Sequence, residues 1–313
     1  MKDLKEKPIY AIAGPTASGK TELGIKLAEH VGGEVINFDS VQIYKMLQVA
    51  TAKPTLEERR GIPHHLIDYV DPFLSYTAAD WAVDAAKAIS DIESRNNIPI
   101  FVGGTGFYLR TLLQPLFEGP KPNEAFRERL IAINHKKGAE HLHKLLTKLD
   151  PELAAKLFPK DYVRTMRGIE YFFQTGEKLS EAQPNRAEVP EFAARVLLFV
   201  LNPPRDRLYE KINARTEMHF ANGLVEEVKW LLDAGISEST SAMGSHGYRR
   251  VCEYLRGERS LDDALKQSQQ DVRNYAKRQV SWFKREKGAI WLDGFGGDDS
   301  IFSKLTRHIP RKT

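Results

Sequence analysis

The sequence predicts an α/β protein: a parallel sheet flanked by helices, its middle interrupted by a small helical insertion. Two observations carry this. Short apolar runs alternate with helix-length patterns through the first 110 residues, as buried parallel strands and their crossover helices require. Runs of the same kind then return far downstream, after a stretch that reads as helix only.

Taken in order, the strand candidates are PIYAIAG (8–14), GEVINFDS (33–40), HHLIDYVDP (64–72) and IPIFVGG (98–104), with ARVLLFVLN (194–202) and AIWLDG (289–294) as later additions to the same sheet. Pro and Gly punctuation opens the interruption at QPLFEGPKPNE and closes it at EAQPNRAEVPEF. This predicts a first core segment over 1–114, an insertion over 115–190 and a second core segment over 191–313. Within the insertion, residues 124–178 read as helices with breaks near Gly138 and Pro159. The patterns at 205–233, 245–256 and 261–287 are helical again.

Composition bounds the function classes. Forty-six Lys and Arg face 42 Asp and Glu, a net charge of +4, so a nucleic-acid partner must be argued from where charges cluster. Cys252 is the only cysteine, which excludes an internal disulfide or Cys-clustered metal site and fits a reducing, cytoplasmic setting. No apolar stretch approaches the ~20 residues that span a bilayer. Neither export nor membrane insertion is expected, and a monomer is the expected state.

The first strand runs into Gly14, Pro15, Thr16, Ala17, Ser18, Gly19, Lys20 and Thr21, a G-x-x-x-x-G-K-T match followed by the helical TELGIKLAEHV. In that strand–loop–helix context, backbone N–H groups and the helix N-terminus face phosphates, the lysine adds charge and the threonine hydroxyl can ligate Mg²⁺. The core is therefore predicted to be P-loop NTPase-like, with Thr21 as the candidate metal ligand. The motif binds a polyphosphate without saying that it is ATP. The acidic residue that such enzymes add for Mg²⁺ is offered only weakly, by Asp68 or Asp71 in HLIDYVD.

Ligands of open α/β sheets sit outside the carboxyl ends of the strands. Asp39, directly after the second strand, is at that edge. Alone, it could equally cap the next turn. It is not alone: DSVQIYKMLQVATAKPT (39–55), the P-loop, PHHLIDYVDP (63–72) and VGGTGFYLR (102–110) together resemble the tRNA dimethylallyltransferase (IPP transferase) family, bacterial type. The resemblance continues through DYVRTMRGIEYFFQTGEKLSE (161–181), RDRLYEKINARTEMHFANGLVEEVKWL (205–231), GYRRVCEYLRGE (247–258) and RNYAKRQVSWFKRE (273–286). Several blocks in the right order are far more specific than a P-loop.

The resemblance implies transfer of a dimethylallyl group from dimethylallyl diphosphate to N6 of the adenosine beside the anticodon, in tRNAs that read codons beginning with U. It implies Asp39 as general base, Thr105 at the reaction channel and Arg215 on the leaving pyrophosphate. It also implies tRNA contacts from Asp39, Ser40, Val41, Gln42 and Thr105, from Arg127, Arg164 and Arg167 of the insertion, and from Arg273, Lys277, Arg278 and Gln279. At 100° per residue, a helix over 273–285 puts Arg273, Lys277, Arg278, Lys284 and Arg285 within an arc of roughly 140°, with Val272, Ala276 and Phe283 on a separate apolar arc. Such a face suits phosphate contacts.

Two departures stand out. The chain reads AMGSHGYRR where the family has a Met-x-x-Ile-Gly-Tyr type of sequence, so Gly244, Ser245 and His246 are unusual. No Cys or His pair at zinc-finger spacing follows the last helices. Three other readings remain open on the residues alone: a P-loop small-molecule kinase with Asp39 activating a hydroxyl, a prenyltransferase of free adenine nucleotides, and a P-loop RNA-binding module without catalysis.

Overall fold

The computed structural model describes residues 7–117, 119–184 and 188–309. Residues 185–187, in the stretch expected to close the insertion, lie outside the described residues. The chain forms two compact units, Met1–Leu113 with Pro190–Thr313, and Gln114–Val189.

The larger unit is built on a six-stranded sheet in the order β3-β2-β4-β1-β5-β6, all of whose pairings are parallel. The strands are β1 (Ile9–Ala13), β2 (Gly33–Phe38), β3 (His64–His65), β4 (Ile98–Gly103), β5 (Val196–Leu201) and β6 (Ile290–Leu292). β1 lies between β4 and β5, with Ala13 level with Gly103 and Val200. Both faces of the central strand are buried: Ile9, Ala11 and Ala13 join one apolar cluster, Tyr10 and Ile12 another. This is why the strands read as continuous apolar runs rather than alternating ones.

The third strand is shorter than HHLIDYVDP suggests. Leu66 and Asp68 take left-handed backbone conformations (φ 56 and 55), which ends the extended chain after His65. The Asn37 side-chain amide then holds Leu66 O at 2.9 Å.

The crossovers are α1 (Lys20–Val31), α2 (Ala78–Ser94) and α3 (Gly106–Leu113). A reciprocal Thr77–Asp80 capping box starts α2, whose Trp81 is fully buried on the sheet and stacks on Tyr108 of α3 at 5.1 Å.

The smaller unit is helical: α4 (Glu124–Lys137), α5 (Ala139–Leu149), α6 (Pro151–Lys156), α7 (Tyr162–Thr175) and α8 (Leu179–Ala182). Its apolar core gathers Leu130, Leu142, Leu146, Leu153 and Ile169. Beside that core Glu170, 0% exposed, accepts from Arg127 Nε and Nη2 (both 2.9 Å), Arg167 Nη1 (2.8 Å) and Asn123 N (2.8 Å). Arg127 and Arg167, expected on RNA, thus spend their guanidinium groups largely inside their own unit. A buried carboxylate demands such partners, and neither arginine's spacing reveals it.

Downstream, the larger unit resumes with α9 (Arg205–Ala221), α10 (Leu224–Asp233), α11 (His246–Leu255), α12 (Leu261–Phe283) and α13 (Asp299–Thr306). The continuous pattern at 205–233 divides at Gly223, whose left-handed φ of 91 starts α10. α12 ends at Phe283, with Lys284 as its C-cap still in right-handed helical conformation and Arg285 in the turn that follows.

Burial opposes ionisation of Glu170, but the hydrogen bonds from Arg127 and Arg167 outweigh it and the carboxyl sits below its usual range. A carboxyl lowered in the folded state stabilises fully above its unfolded pKa and loses that contribution as pH falls through the folded one. Glu170→Ala leaves two guanidinium groups without their anion and is expected to destabilise the helical unit by about 3–5 kcal/mol; urea denaturation followed by circular dichroism measures it.

Candidate active site

At the carboxyl edge of the sheet the larger unit encloses a cavity of about 780 Å³. The phosphate loop forms one wall. Gly19 takes a left-handed φ of 86, and a Cβ there would meet Gly296 N at 2.9 Å, so the loop tolerates no side chain at that position. The loop after β6 braces it from outside, Gly296 N donating to Ser18 O at 2.8 Å. Ser18 is 0% exposed and its Oγ has no partner among the described residues.

Two cations converge on the cradle. Lys20 Nζ donates to Pro15 O at 2.7 Å, and Arg215 Nη2, from α9, donates to Thr16 Oγ1. Burial lowers Lys20 from 10.5 to about 8; Asp39 partly restores it and Arg215 lowers it again. Burial likewise lowers Arg215, with Asp39 opposing. The pair holds positive charge at the cost of desolvation, a penalty that an incoming polyanion relieves.

Asp39 lines the same cavity. Its Oδ1 accepts from Val41 N at 3.0 Å and from Gln42 N at 3.4 Å, so the carboxylate does cap the turn after β2, through one oxygen. Thr105 stands behind that turn: its Oγ1 accepts from Ser40 N at 3.0 Å and donates to Ser40 Oγ at 3.2 Å. Gln42 turns its amide to Thr51 O and Ala52 O, at 3.0 and 2.9 Å. Its expected contact with a base is therefore limited to the atoms left over.

α12 closes the far wall with Val272, Tyr275 and Arg278. Gln279 differs from its expected role as an RNA contact. It is 4% exposed, accepts from Thr16 N at 2.8 Å and donates to Gly104 O at 3.0 Å. Its amide thereby clips the phosphate loop to the end of β4. Arg273 is engaged with Asn213 Oδ1 (2.5 Å) and Gln270 Oε1 (2.8 Å). Lys277 and Arg278 are exposed, and in the helical unit Arg164 is 70% exposed beside Asp161.

Asp68 and Asp71 take no part. Asp68 Oδ1 accepts from Lys53 Nζ at 2.6 Å, and Asp71 Oδ1 accepts from Phe73 N at 2.9 Å. Among the described residues no group of three or more His, Cys, Asp or Glu could hold a metal.

Several wall residues carry no local sequence signal. His219 lies one turn beyond Arg215 on α9; burial, then Arg215, lower it to about 4, so it faces the cavity as neutral imidazole. The Tyr275 hydroxyl is pushed up by burial and next by the charge of Asp39, while hydrogen bonds to Thr105 and Gln279 pull it back. The spacing Arg215–His219 and the i, i+4 pair Tyr275–Gln279 are the sequence hints that these side chains share a face with expected site residues.

The chain is similar to known proteins along nearly its whole length. The family model described as IPP transferase matches residues 42–286, and one described as isopentenyl transferase matches residues 7–70. The tRNA dimethylallyltransferase of Geobacter metallireducens is 45% identical over 308 residues, covering 97% of this chain and 98% of the relative. Among solved structures, the tRNA isopentenylpyrophosphate transferase of Bacillus halodurans superposes with a TM-score of 0.70 at 35% identity, over 96% of this chain and 95% of that one. A eukaryotic dimethylallyltransferase, described as acting on tRNA, gives 0.74 at 30% identity over 98% and 81%. A phosphate loop, an inward arginine and a carboxylate around one cavity, in a chain matched along its length by these relatives, place it in the IPP transferase family.

Proposed function

We propose that this protein transfers a dimethylallyl group from dimethylallyl diphosphate to the exocyclic N6 of the adenosine beside the anticodon of tRNA. The observation that carries the reading is the convergence of Lys20, Arg215 and Asp39 on one cavity. Two half-buried cations and the loop amides suit a diphosphate; a carboxylate facing them suits a nucleophile that must lose a proton.

In the reaction the allylic C–O bond breaks as the N6–C bond forms, and pyrophosphate leaves. Lys20, Arg215 and the loop N–H groups take up its developing charge. N6 is a weak nucleophile, and the oxygen of Asp39 not committed to the turn receives its proton. Thr105 holds that turn through Ser40. The Thr21 hydroxyl at the end of the phosphate loop would hold a Mg²⁺, which would supply further charge to the leaving group.

The target base must leave its stack to reach Asp39, at a cost of a few kcal/mol. Arg278 and Lys277 on α12, and Arg164 in the helical unit, are the exposed cations suited to the flanking phosphates. Among the described residues no helix is long and apolar enough to cross a membrane.

Asp39→Ala is expected to slow prenyl transfer by about 10²–10⁴-fold while tRNA and pyrophosphate still bind; nucleoside mass spectrometry of treated tRNA reads it, and a fully active variant removes Asp39 from the chemistry. Consumption of ATP with no added dimethylallyl mass on adenosine favours a kinase instead.

Lys20 gives a pH dependence. Free, it titrates at about 8; bound pyrophosphate holds it charged and raises that value, so binding takes up a proton above pH 8. Affinity therefore falls as pH rises past 8, by up to about tenfold per unit. Calorimetry of wild type against Lys20→Gln isolates this slope, which the variant is expected to lack.

A further inference from the structure

Phe107 is not used by the chemistry above, yet it lines the cavity and is 45% exposed. Its neighbour Tyr108 is 7% exposed and belongs to the core. Phe107 therefore stands at the rim, where the cavity opens, rather than deep beside Asp39.

The ring is held in place. It meets Trp282 of α12 edge-on, with centroids 6.3 Å apart and planes at 79°. Trp282 is covered in turn by the Arg110 guanidinium at 4.3 Å, and Arg110 is fixed by Glu286, which accepts its Nε at 3.0 Å. The approach of α3 to α12 depends on Gly106, where a Cβ would fall 2.2 Å from Trp282 Cδ1. An exposed aromatic ring packed nearly at right angles to one fixed neighbour has at most one face taken by it.

A cation sits alongside. Arg278 lies one turn before Trp282 on α12, on the same face; it is exposed and lines the cavity, with its guanidinium carbon 5.8 Å from the Tyr275 ring. A free aromatic face next to an exposed guanidinium is the combination that binds an unpaired nucleotide, base on ring and phosphate on cation.

We propose that Phe107 is a stacking platform for the base next to the one that enters the cavity, with Arg278 taking that nucleotide's phosphate. This rests on the reading of the protein as a tRNA prenyltransferase. Extrusion of the target base strips its neighbour of a stacking partner, and the Phe107 ring supplies a replacement. Because every base has a π-face, the platform tolerates sequence variation at that position.

The test uses the full chain with Phe107→Leu, which keeps apolar bulk but removes the ring face, and Phe107→Tyr, which keeps the face. KM for tRNA is expected to rise about tenfold in the leucine variant, with KM for dimethylallyl diphosphate within about twofold of wild type and the tyrosine variant restoring most of the loss. An anticodon stem-loop with 2-aminopurine beside the target adenosine is expected to be quenched by wild type and Phe107→Tyr, but not by Phe107→Leu. Equal quenching by the leucine variant, or a rise in KM for dimethylallyl diphosphate alone, overturns the platform; the second result makes Phe107 a wall of the prenyl site. Wild type that binds and quenches the stem-loop yet transfers no prenyl group sinks the catalytic reading and leaves the platform standing.

Discussion

The organisation of the larger unit follows from one electrostatic constraint: Lys20 and Arg215 are held with little water, and among the described residues the carboxylate that acts on both is that of Asp39. Keeping two such charges in one half-buried place is costly unless the surrounding backbone is rigid. The sheet supplies that rigidity, because β1, which feeds the phosphate loop, is flanked on both sides by paired strands. Arg215 arrives on a helix that begins four residues after β5, the strand beside β1. The cations meet because their strands are neighbours.

The C-terminal half does more than present charge. The Gln279 side-chain amide ties the phosphate loop to the end of β4 through hydrogen bonds to two backbone groups, and the Gly296 amide supports the same loop from the opposite end of the chain. The two Gln279 bonds span sequence separations of 263 residues, to Thr16, and 175 residues, to Gly104. A loop braced this way depends on contacts distant in sequence, which couples its shape to folding of the whole unit.

This explains what was legible in the sequence. The P-loop is a local motif whose physics is contained in eight consecutive residues, and the parallel sheet is announced by apolar runs. Asp39, Thr105 and Arg215 emerge from family resemblance, since nothing in their own neighbourhoods separates them from a turn cap, a loop hydroxyl or a surface arginine. The partners that the pattern does not reveal have one origin. Gln279, Arg127 and Arg167 are polar residues on helical faces, and whether such a residue meets solvent or a buried partner is decided by elements far away in sequence, here Thr16 and Gly104 in one case and Glu170 in the others. Leu66 and Asp68 are the backbone counterpart: a strand pattern ended by left-handed residues that are not glycine.

The turn after β2 has a further consequence for turnover. Asp39 anchors that turn through Oδ1 alone, and a carboxyl oxygen that accepts amide hydrogen bonds still accepts them when the other oxygen is protonated. In the proposed reaction the carboxylate therefore cycles between acid and base without releasing the loop that positions it. The segment is a fixed stator: it is reset by loss of a proton and requires no rearrangement of its backbone between one tRNA and the next.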